Sequence, residues 1–192
     1  MSSTHDPYLP ELAPWASVIL RHALPAGVNI CLQTRSYLVL RDLEYLASHR
    51  SQVRLQVSIA TADPAFARLI EPRVPPPGRR LEVLRRAKEA GLSTGVIIAP
   101  VFPRVGRDGA RVRDDPAADL RAIAEELADI RPAHIYGESL HARGQNMALV
   151  RERVGELLYP DPGGWDAEAE GMFHSALAEH GLAGTWWPEG RA

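Results

Sequence analysis

The sequence contains very little cysteine. Cys31 is the single cysteine among 192 residues, which excludes a disulfide within the chain. It also excludes an iron–sulfur cluster, or a metal site built from thiolates alone, held by one copy of this chain, because such sites need several cysteine ligands. A function that depends on such a centre therefore needs ligands from beyond this sequence.

Long hydrophobic runs and an excess of charge of one sign are also missing. Hydrophobic residues make up 45% of the chain and charged residues 24%, and the formal net charge is −2, which is ordinary for a globular protein. No run is long enough to span a membrane, and the polar first residues are unlike a signal peptide. We therefore expect a cytoplasmic protein with no membrane contact. Binding to nucleic acid would require a local basic patch.

The segment from Val53 to Val101 is the part around which the chain is organised. Alternating apolar and polar residues predict a strand over 53–59, and a nearly all-apolar run predicts a strand over 94–101 that is covered on both faces. Two predicted helices, 64–70 and 79–90, lie between the strands. They are separated by a proline-rich segment, residues 71–78, which we call the proline knot. The two strands are expected to be parallel neighbours joined by a right-handed crossover.

Helices and strands alternate along the remaining chain. This order predicts a parallel sheet with helices outside it. Only four strands are readable, so the predicted fold is α/β, a partial, open TIM-type parallel β/α barrel with outer helices, since a closed barrel usually needs about 250 residues. The further predicted elements are strands at 28–33 and 133–138, helices at 11–24, 37–49, 116–130, 144–158 and 166–180, and a long loop at 102–114.

We expect one domain, residues 1–192. It would comprise an N-terminal extension (1–9) with no core of its own, the partial barrel (10–158), and a C-terminal helix with a tryptophan-containing tail (159–192). Because Trp186 and Trp187 make the tail too apolar to remain in water, the tail is expected to pack against the body or against another chain.

Polar residues cluster where the predicted strands end, which is where parallel α/β folds place their active sites. His134, Tyr136 and Glu138 occupy alternate positions of one strand and should share a face, as should Gln56 and Ser58. The periodicity predicts this convergence of side chains but not the ligand.

Three segments carry a resemblance to a known family. They are QTRSYLVLRDLEYL, the stretch VRLQVSIATADPAFARLIEPRVPPPGRRLEVLRRAKEAGLSTGVIIAPVFP, and HIYGESLHARG. Together they resemble the later two-thirds of the radical S-adenosylmethionine barrel of DNA-repair-photolyase-type proteins, relatives of spore photoproduct lyase. The leading Asp6-Pro7-Tyr8 is similar to an Asp-Pro-Tyr element that precedes these segments in the family.

The resemblance implies a cofactor that this chain cannot hold alone. In the family, a Cys-x3-Cys-x2-Cys loop holds a [4Fe–4S] cluster, which cleaves S-adenosylmethionine to a radical. This sequence has no such loop, and Cys31 lies on a later strand. We expect a truncated, split or cluster-less member that is inactive as a radical enzyme on its own, and a lyase if another segment completes it.

The resemblance also assigns S-adenosylmethionine contacts to three strand ends. Arg35 stands where the family usually has lysine, which keeps the charge but changes the donor geometry. The six assigned residues are Thr34, Arg35, Ser36, Ser58, Ala99 and Pro100.

Five further residues are candidates for substrate binding: Glu71, Arg73, His134, Tyr136 and Glu138. For Glu71 and Arg73, the competing interpretation is a buried ion pair that locks the proline knot. For His134, Tyr136 and Glu138, the competing interpretation is an ordinary structural role.

Two groups of arginines raise the question of nucleic acid. The first alternates with glutamates and is typical of a solvated helix face. The second lies in the 102–114 loop and is the better candidate for phosphate contacts. The groups are Arg79, Arg80, Arg85 and Arg86, then Arg104, Arg107, Arg111 and Arg113.

Three functional hypotheses follow. The first is one piece of a split radical S-adenosylmethionine enzyme, completed by a complementing chain or assembled as a homo-oligomer. An exposed sheet edge at strand 28–33 would support it. The second is a module that binds a nucleotide-like small molecule. The third is a metal-dependent lyase or hydrolase that uses His134, Glu138 and His141.

Overall fold

The alternation of apolar periods produces most of the strands and helices that it predicts, and the differences lie mainly in the C-terminal half. The computed structural model of the protein describes residues 5–107, 110–113, 115–140, 146–158 and 162–187. The helices are α1 (Ala13–Ala23), a 3-10 helix (Tyr37–Asp42), α2 (Leu43–Ser48), α3 (Pro64–Ile70), α4 (Pro77–Glu89), α5 (Pro116–Ile130), α6 (Asn146–Val154) and α7 (Pro162–Glu179). The strands are β1 (Ile30–Thr34), β2 (Val53–Ser58), β3 (Ser93–Val101), β4 (Arg104–Arg107), β5 (Ala110–Arg113), β6 (His134–Ser139), β7 (Glu156–Leu158) and β8 (Thr185–Trp187).

Five strands form an open sheet in the order β1-β2-β3-β6-β8. The outer pairs are parallel, β1 with β2 and β6 with β8. The predicted α/β fold with an open parallel sheet is therefore confirmed. The fifth strand, Thr185–Trp187, was missed because three residues are too short to show a period, yet Trp186 is buried there, as expected for the tail.

The chain divides into two compact units that interleave along the sequence. One is drawn from Met1–Ile59, Val74–Val96 and Pro132–His134, and the other from Ala60–Arg73, Ile97–Arg131 and Ile135–Ala192. The expectation of a single domain stays a prediction.

In the first unit, the register of β1 on β2 separates an apolar face from a polar one. Ile30 pairs with Val53, and Leu32 pairs with Leu55, and all four side chains are buried. Tyr8 of the predicted N-terminal extension is fully buried and bonds to Asp42, so this segment contributes to the core of the unit, while the expectation that it has no core of its own stays a prediction.

In the second unit, the expected 102–114 loop is instead part of a small sheet. Strands β4 and β5 form an antiparallel pair, and β7 joins the other edge of β4. Val105 is fully buried and packs in a cluster with Phe66, Phe102 and Val154. The loop prediction failed because four-residue strands carry one or two apolar residues each, too few for a period to be seen.

Two helix boundaries also differ from the prediction. The helix expected over 144–158 ends at Val154, because Gly155 has a φ of +93°, which an α-helix cannot accommodate. The last helix begins at Pro162 rather than after Asp166. Asp166, which the sequence predicts as the cap of this helix, lies inside it and accepts hydrogen bonds from the Ser139 hydroxyl (2.5 Å) and the Trp186 indole N–H (3.3 Å).

Among the described residues, no helix combines the length and the hydrophobicity that crossing a membrane requires.

Candidate functional site

The first unit presents a polar face along β1 and β2. Cys31 pairs with Arg54, and Gln33 pairs with Gln56, and residues paired in a parallel sheet point to the same side. The Cys31 thiol donates a hydrogen bond to the Gln56 side-chain oxygen at 3.2 Å. A Cβ added to Gly95 would lie 3.0 Å from Gln56 Cγ, so the glycine makes room for that side chain.

Ser58 ends β2 and is 8% exposed. Its carbonyl accepts a hydrogen bond from Arg80 Nη1 at 3.1 Å, and Arg80 Nε donates to the Pro75 carbonyl at 2.8 Å. Arg80 is 1% exposed, so the interpretation of its helix as a uniformly solvated basic face is wrong at this position. The sequence did contain an indication that this arginine is buried. Carbonyls of the proline knot that lack helical partners need donors from elsewhere.

Asp6 organises the end of β1. Its carboxylate accepts hydrogen bonds from the Thr34 hydroxyl (2.7 Å), the Arg35 backbone N–H (2.6 Å) and the Tyr8 backbone N–H (2.9 Å). The Thr34 hydroxyl also accepts from the Ser36 backbone N–H at 2.9 Å. These bonds hold Thr34, Arg35 and Ser36, three of the predicted S-adenosylmethionine contacts, in one turn. The Arg35 side chain is exposed. Sequence reasoning missed Asp6, although the Asp-Pro-Tyr element was visible.

Ser36 has a further structural role. Its hydroxyl accepts a hydrogen bond from the Leu38 backbone N–H at 3.3 Å and caps the following 3-10 helix.

A buried polar cluster lies in the same unit. The Tyr8 hydroxyl donates to Asp42 Oδ2 at 2.8 Å, and the Ser17 hydroxyl donates to the same oxygen at 2.5 Å. Burial raises the pKa of the Tyr8 hydroxyl well above its ordinary value, and the hydrogen bond to Asp42 and the negative charge of Asp42 raise it further. Tyr8 therefore remains a protonated donor throughout the neutral range.

The second unit contains four predicted residues that lie outside β6. Ala99 and Pro100 are half-buried on β3 and are joined by a cis peptide bond. Their side chains carry no polar groups, so a ligand would meet backbone atoms. Glu71 is half-buried at the C-terminal cap of α3, and Arg73 is exposed. The alternative of a buried ion pair is wrong, because the Arg73 side chain lies in water.

His134, Tyr136 and Glu138 occupy alternate, half-buried positions of β6, and the positions between them are buried. The predicted shared face is therefore confirmed. Within the part of the chain that the structure describes, no group of three or more His, Cys, Asp or Glu residues is arranged to hold a metal ion. His141 lies outside the described residues.

The second arginine group lies on paired strands rather than in a loop. Arg104 and Arg107 are the ends of β4, and Arg111 and Arg113 belong to β5. Arg104 is exposed.

Comparison with known proteins identifies the family. The model of the radical SAM superfamily matches residues 1–112, which is more than half of the chain. The chain belongs to the radical SAM superfamily, as the sequence resemblance indicated.

Its relatives by sequence are uncharacterized proteins. The protein ORF301 of Acidianus two-tailed virus is 51% identical over 189 residues, which cover 98% of this chain and 61% of that protein. The protein Rv2578c of Mycobacterium tuberculosis is 30% identical over 162 residues, which cover 82% of this chain and 46% of that protein. The chain thus spans about half to three-fifths of the length of these relatives.

Solved structures share the fold. A mutant of spore photoproduct lyase with bound AdoMet and dinucleoside spore photoproduct superposes with a TM-score of 0.68 at 15% identity, over 96% of this chain and 58% of that one. A domain of pyruvate-formate lyase-activating enzyme from Bacteroides vulgatus gives 0.60 at 16% identity, over 97% of this chain and 96% of that one.

The superfamily implies two bound groups, a [4Fe–4S] cluster and S-adenosylmethionine, and the residues of this chain do not fit both equally well. A [4Fe–4S] cluster does not fit, because the sequence has one cysteine and such clusters are held by several thiolates. S-adenosylmethionine fits better. Its amino-acid and ribose groups need hydrogen-bonding partners, and the nearly buried Ser58 hydroxyl of the first unit is of that kind.

Proposed function

We propose that this chain is the cosubstrate-binding part of a radical S-adenosylmethionine enzyme of the photoproduct-lyase type, with cluster thiolates supplied by residues outside this sequence. One observation carries the proposal. Ser58 lies nearly buried at the end of β2, and its backbone is held by a buried arginine, in a chain with one cysteine.

The chain's own residues would bind and orient the cosubstrate. When bound to a cluster, S-adenosylmethionine supplies the radical chemistry of the superfamily. The Ser58 hydroxyl would hydrogen-bond a polar group of the cosubstrate, and the exposed Arg35 guanidinium would attract its carboxylate. Thr34 and Ser36 would act indirectly, by holding the turn that carries Arg35.

Two surfaces of the first unit support completion by another segment. Strand β1 lies at the end of the sheet order, and β2 is its only strand neighbour among the described residues. Helix α1 has apolar side chains on its exposed side: Leu12 just before it, then Trp15 (66% exposed), Val18 and Ile19 (50% exposed). We call these four residues the α1 face. A helix that is apolar on both sides is typically covered on both sides.

The topology indicates what covers this region. In a parallel sheet, a helix that enters a strand normally crosses over from a neighbouring parallel strand. Helix α1 enters β1, and the free edge of β1 is where such a strand would pair. The complementing segment would therefore add a parallel strand at β1 and an apolar surface against the α1 face.

Calorimetry with S-adenosylmethionine tests the cosubstrate half of the proposal. We expect saturable binding by the purified chain, weakened about tenfold in Ser58→Ala, since a lost hydrogen bond to a charged ligand costs about that factor. Ser51→Ala, at an exposed serine, is the matched control and should bind as the wild type does. Absence of binding by the wild-type chain would refute this half.

Iron content tests the second half of the proposal, that the cluster thiolates come from residues outside this sequence. After anaerobic reconstitution with iron and sulfide, the isolated chain should hold no stoichiometric cluster, because it lacks the thiolates. Four irons per chain with the matching visible absorbance would refute the claim that the ligands come from outside.

We further propose that the substrate of the completed enzyme is nucleic acid. The exposed Arg104 of β4 favours contacts with phosphates, and these contacts would weaken steeply with salt. A gel-shift titration with duplex DNA at two salt concentrations tests it. Arg104→Ala should weaken binding, while Arg86→Ala, at an exposed residue of α4, should not. Equal binding by both variants would refute the role of Arg104, and absence of binding by the wild-type chain would remove DNA as a substrate class.

A further inference from the structure

Arg80 is the largest fully buried side chain among the described residues. The arginines near it on α4 differ from it. Arg79 is about half exposed, pairs with Glu82 at 2.6 Å and lies over the Tyr37 ring, and Arg86 is exposed. Arg80 alone of these three is directed into the first unit.

Burying a guanidinium is unfavourable unless its N–H groups find acceptors. Arg80 meets this requirement through main-chain oxygens: Nε donates to the Pro75 carbonyl and Nη1 to the Ser58 carbonyl. The planar, forked guanidinium can bridge two carbonyls in a fixed geometry, which the flexible single ammonium of lysine cannot reproduce. The side chain thus joins the end of β2 to the turn that precedes α4.

This bridge acts on the residue that carries the proposed site. The Ser58 carbonyl and hydroxyl belong to one residue, so fixing the carbonyl fixes the backbone position from which the hydroxyl projects. The charge of Arg80 is also shielded little by solvent, because the side chain is 1% exposed, and buried charges are screened less than exposed ones. Both effects favour an anionic or polar ligand group at the end of β2.

We propose that Arg80 is a positioning residue for S-adenosylmethionine, which holds Ser58 in place and favours binding of the methionine carboxylate. This inference rests on the proposed function. It distinguishes the two ends of the ligand: Arg80 should matter for the methionine end and not for the adenine end.

The test compares two ligands by calorimetry. S-adenosylmethionine carries the carboxylate, and 5′-methylthioadenosine keeps the adenosine but lacks the amino-acid group. Arg80→Met should weaken S-adenosylmethionine at least about tenfold, the usual effect of losing an interaction with a charged group. It should change 5′-methylthioadenosine binding less than twofold. Arg79→Met, on the same helix but exposed, is the matched control and should affect neither ligand.

Circular dichroism and thermal unfolding would reveal whether Arg80→Met folds. If it does not fold, a second variant provides the test. Arg80→Lys keeps the charge and loses the forked geometry. It should weaken S-adenosylmethionine by an intermediate factor and leave the smaller ligand unchanged.

Three results would overturn the inference. A folded Arg80→Met variant with wild-type affinity for S-adenosylmethionine would show that the bridge does not serve this ligand. Equal losses for both ligands would show a merely structural role. If the wild-type chain bound neither ligand, the proposed function itself would fail, and this inference with it. That outcome differs from the first two, in which the wild type binds.

Discussion

Two buried acidic or hydroxyl groups of the first unit, Asp42 and Thr34, are satisfied by partners far away in the sequence. Asp42 is 5% exposed and accepts hydrogen bonds from Tyr8 and Ser17, which lie 34 and 25 residues earlier. Asp6 likewise reaches Thr34. Because unsatisfied buried groups are costly, these pairs fix the N-terminal stretch on the turn that follows β1.

The Tyr8–Asp42 hydrogen bond should contribute to stability in a pH-dependent way. At pH 8, Tyr8→Phe should lower the free energy of unfolding by roughly 1–2 kcal/mol, because Asp42 loses a donor. Above the ordinary tyrosine pKa of about 10, the unfolded chain ionises Tyr8 while the folded chain keeps it protonated, since its folded pKa is raised. The wild type therefore loses stability with rising pH, and its advantage over the variant shrinks.

Urea denaturation of both proteins at pH 8 and at about pH 11 measures this difference. Tyr37→Phe, at an exposed tyrosine, is the control and should show a small effect at both pH values. An advantage of the wild type over Tyr8→Phe that stays constant or grows with pH would contradict the prediction.

At the scale of elements, β8 is held against β6 and α7 in the second unit by close packing around glycine. Trp186 packs against Phe173 with ring centroids 5.4 Å apart. A Cβ added to Gly137 would lie 2.6 Å from Trp186 and 2.8 Å from Phe173. The glycine is therefore required by the approach of the two rings, and not by its backbone angles.

Gly137→Ala should destabilise the protein by about 1–3 kcal/mol, the usual cost of overpacking. Gly171→Ala is the matched control. It lies in α7 with open space around its Cβ position, and alanine there should stabilise the helix by about 0.5–1 kcal/mol. Thermal unfolding of both variants measures the opposite shifts, and a neutral Gly137→Ala would show that the rings move aside.

At the scale of the whole molecule, the relation of this chain to its longer relatives can be tested directly. The α1 face and the free edge of β1 should receive the part of ORF301 that this chain does not match, added as a separate polypeptide. The mixture should then bind iron, whereas the chain alone should not. Trp15→Glu should weaken complex formation by about tenfold, because it places a charge in an apolar interface.

Trp187→Glu is the control for that experiment, since Trp187 is also exposed (54%) but lies on β8. Analytical ultracentrifugation with iron analysis gives both readouts. Equal weakening by the two variants, or self-association of the chain through Trp15 without the added segment, would contradict the proposed role of the α1 face.

Sequence by itself determined the parallel α/β sheet, the shared face of His134, Tyr136 and Glu138, and the lack of cluster ligands. The sheet and the face follow from local periodicity, and the missing ligands from a count of cysteines. Tertiary structure alone decided that Arg80 is buried and that the β4–β5 segment is a sheet. Spacing along a helix does not show which of several arginines finds carbonyls to bind, and a four-residue strand is stable only beside its partners. Those outcomes depend on residues distant in the chain, and local patterns do not encode them.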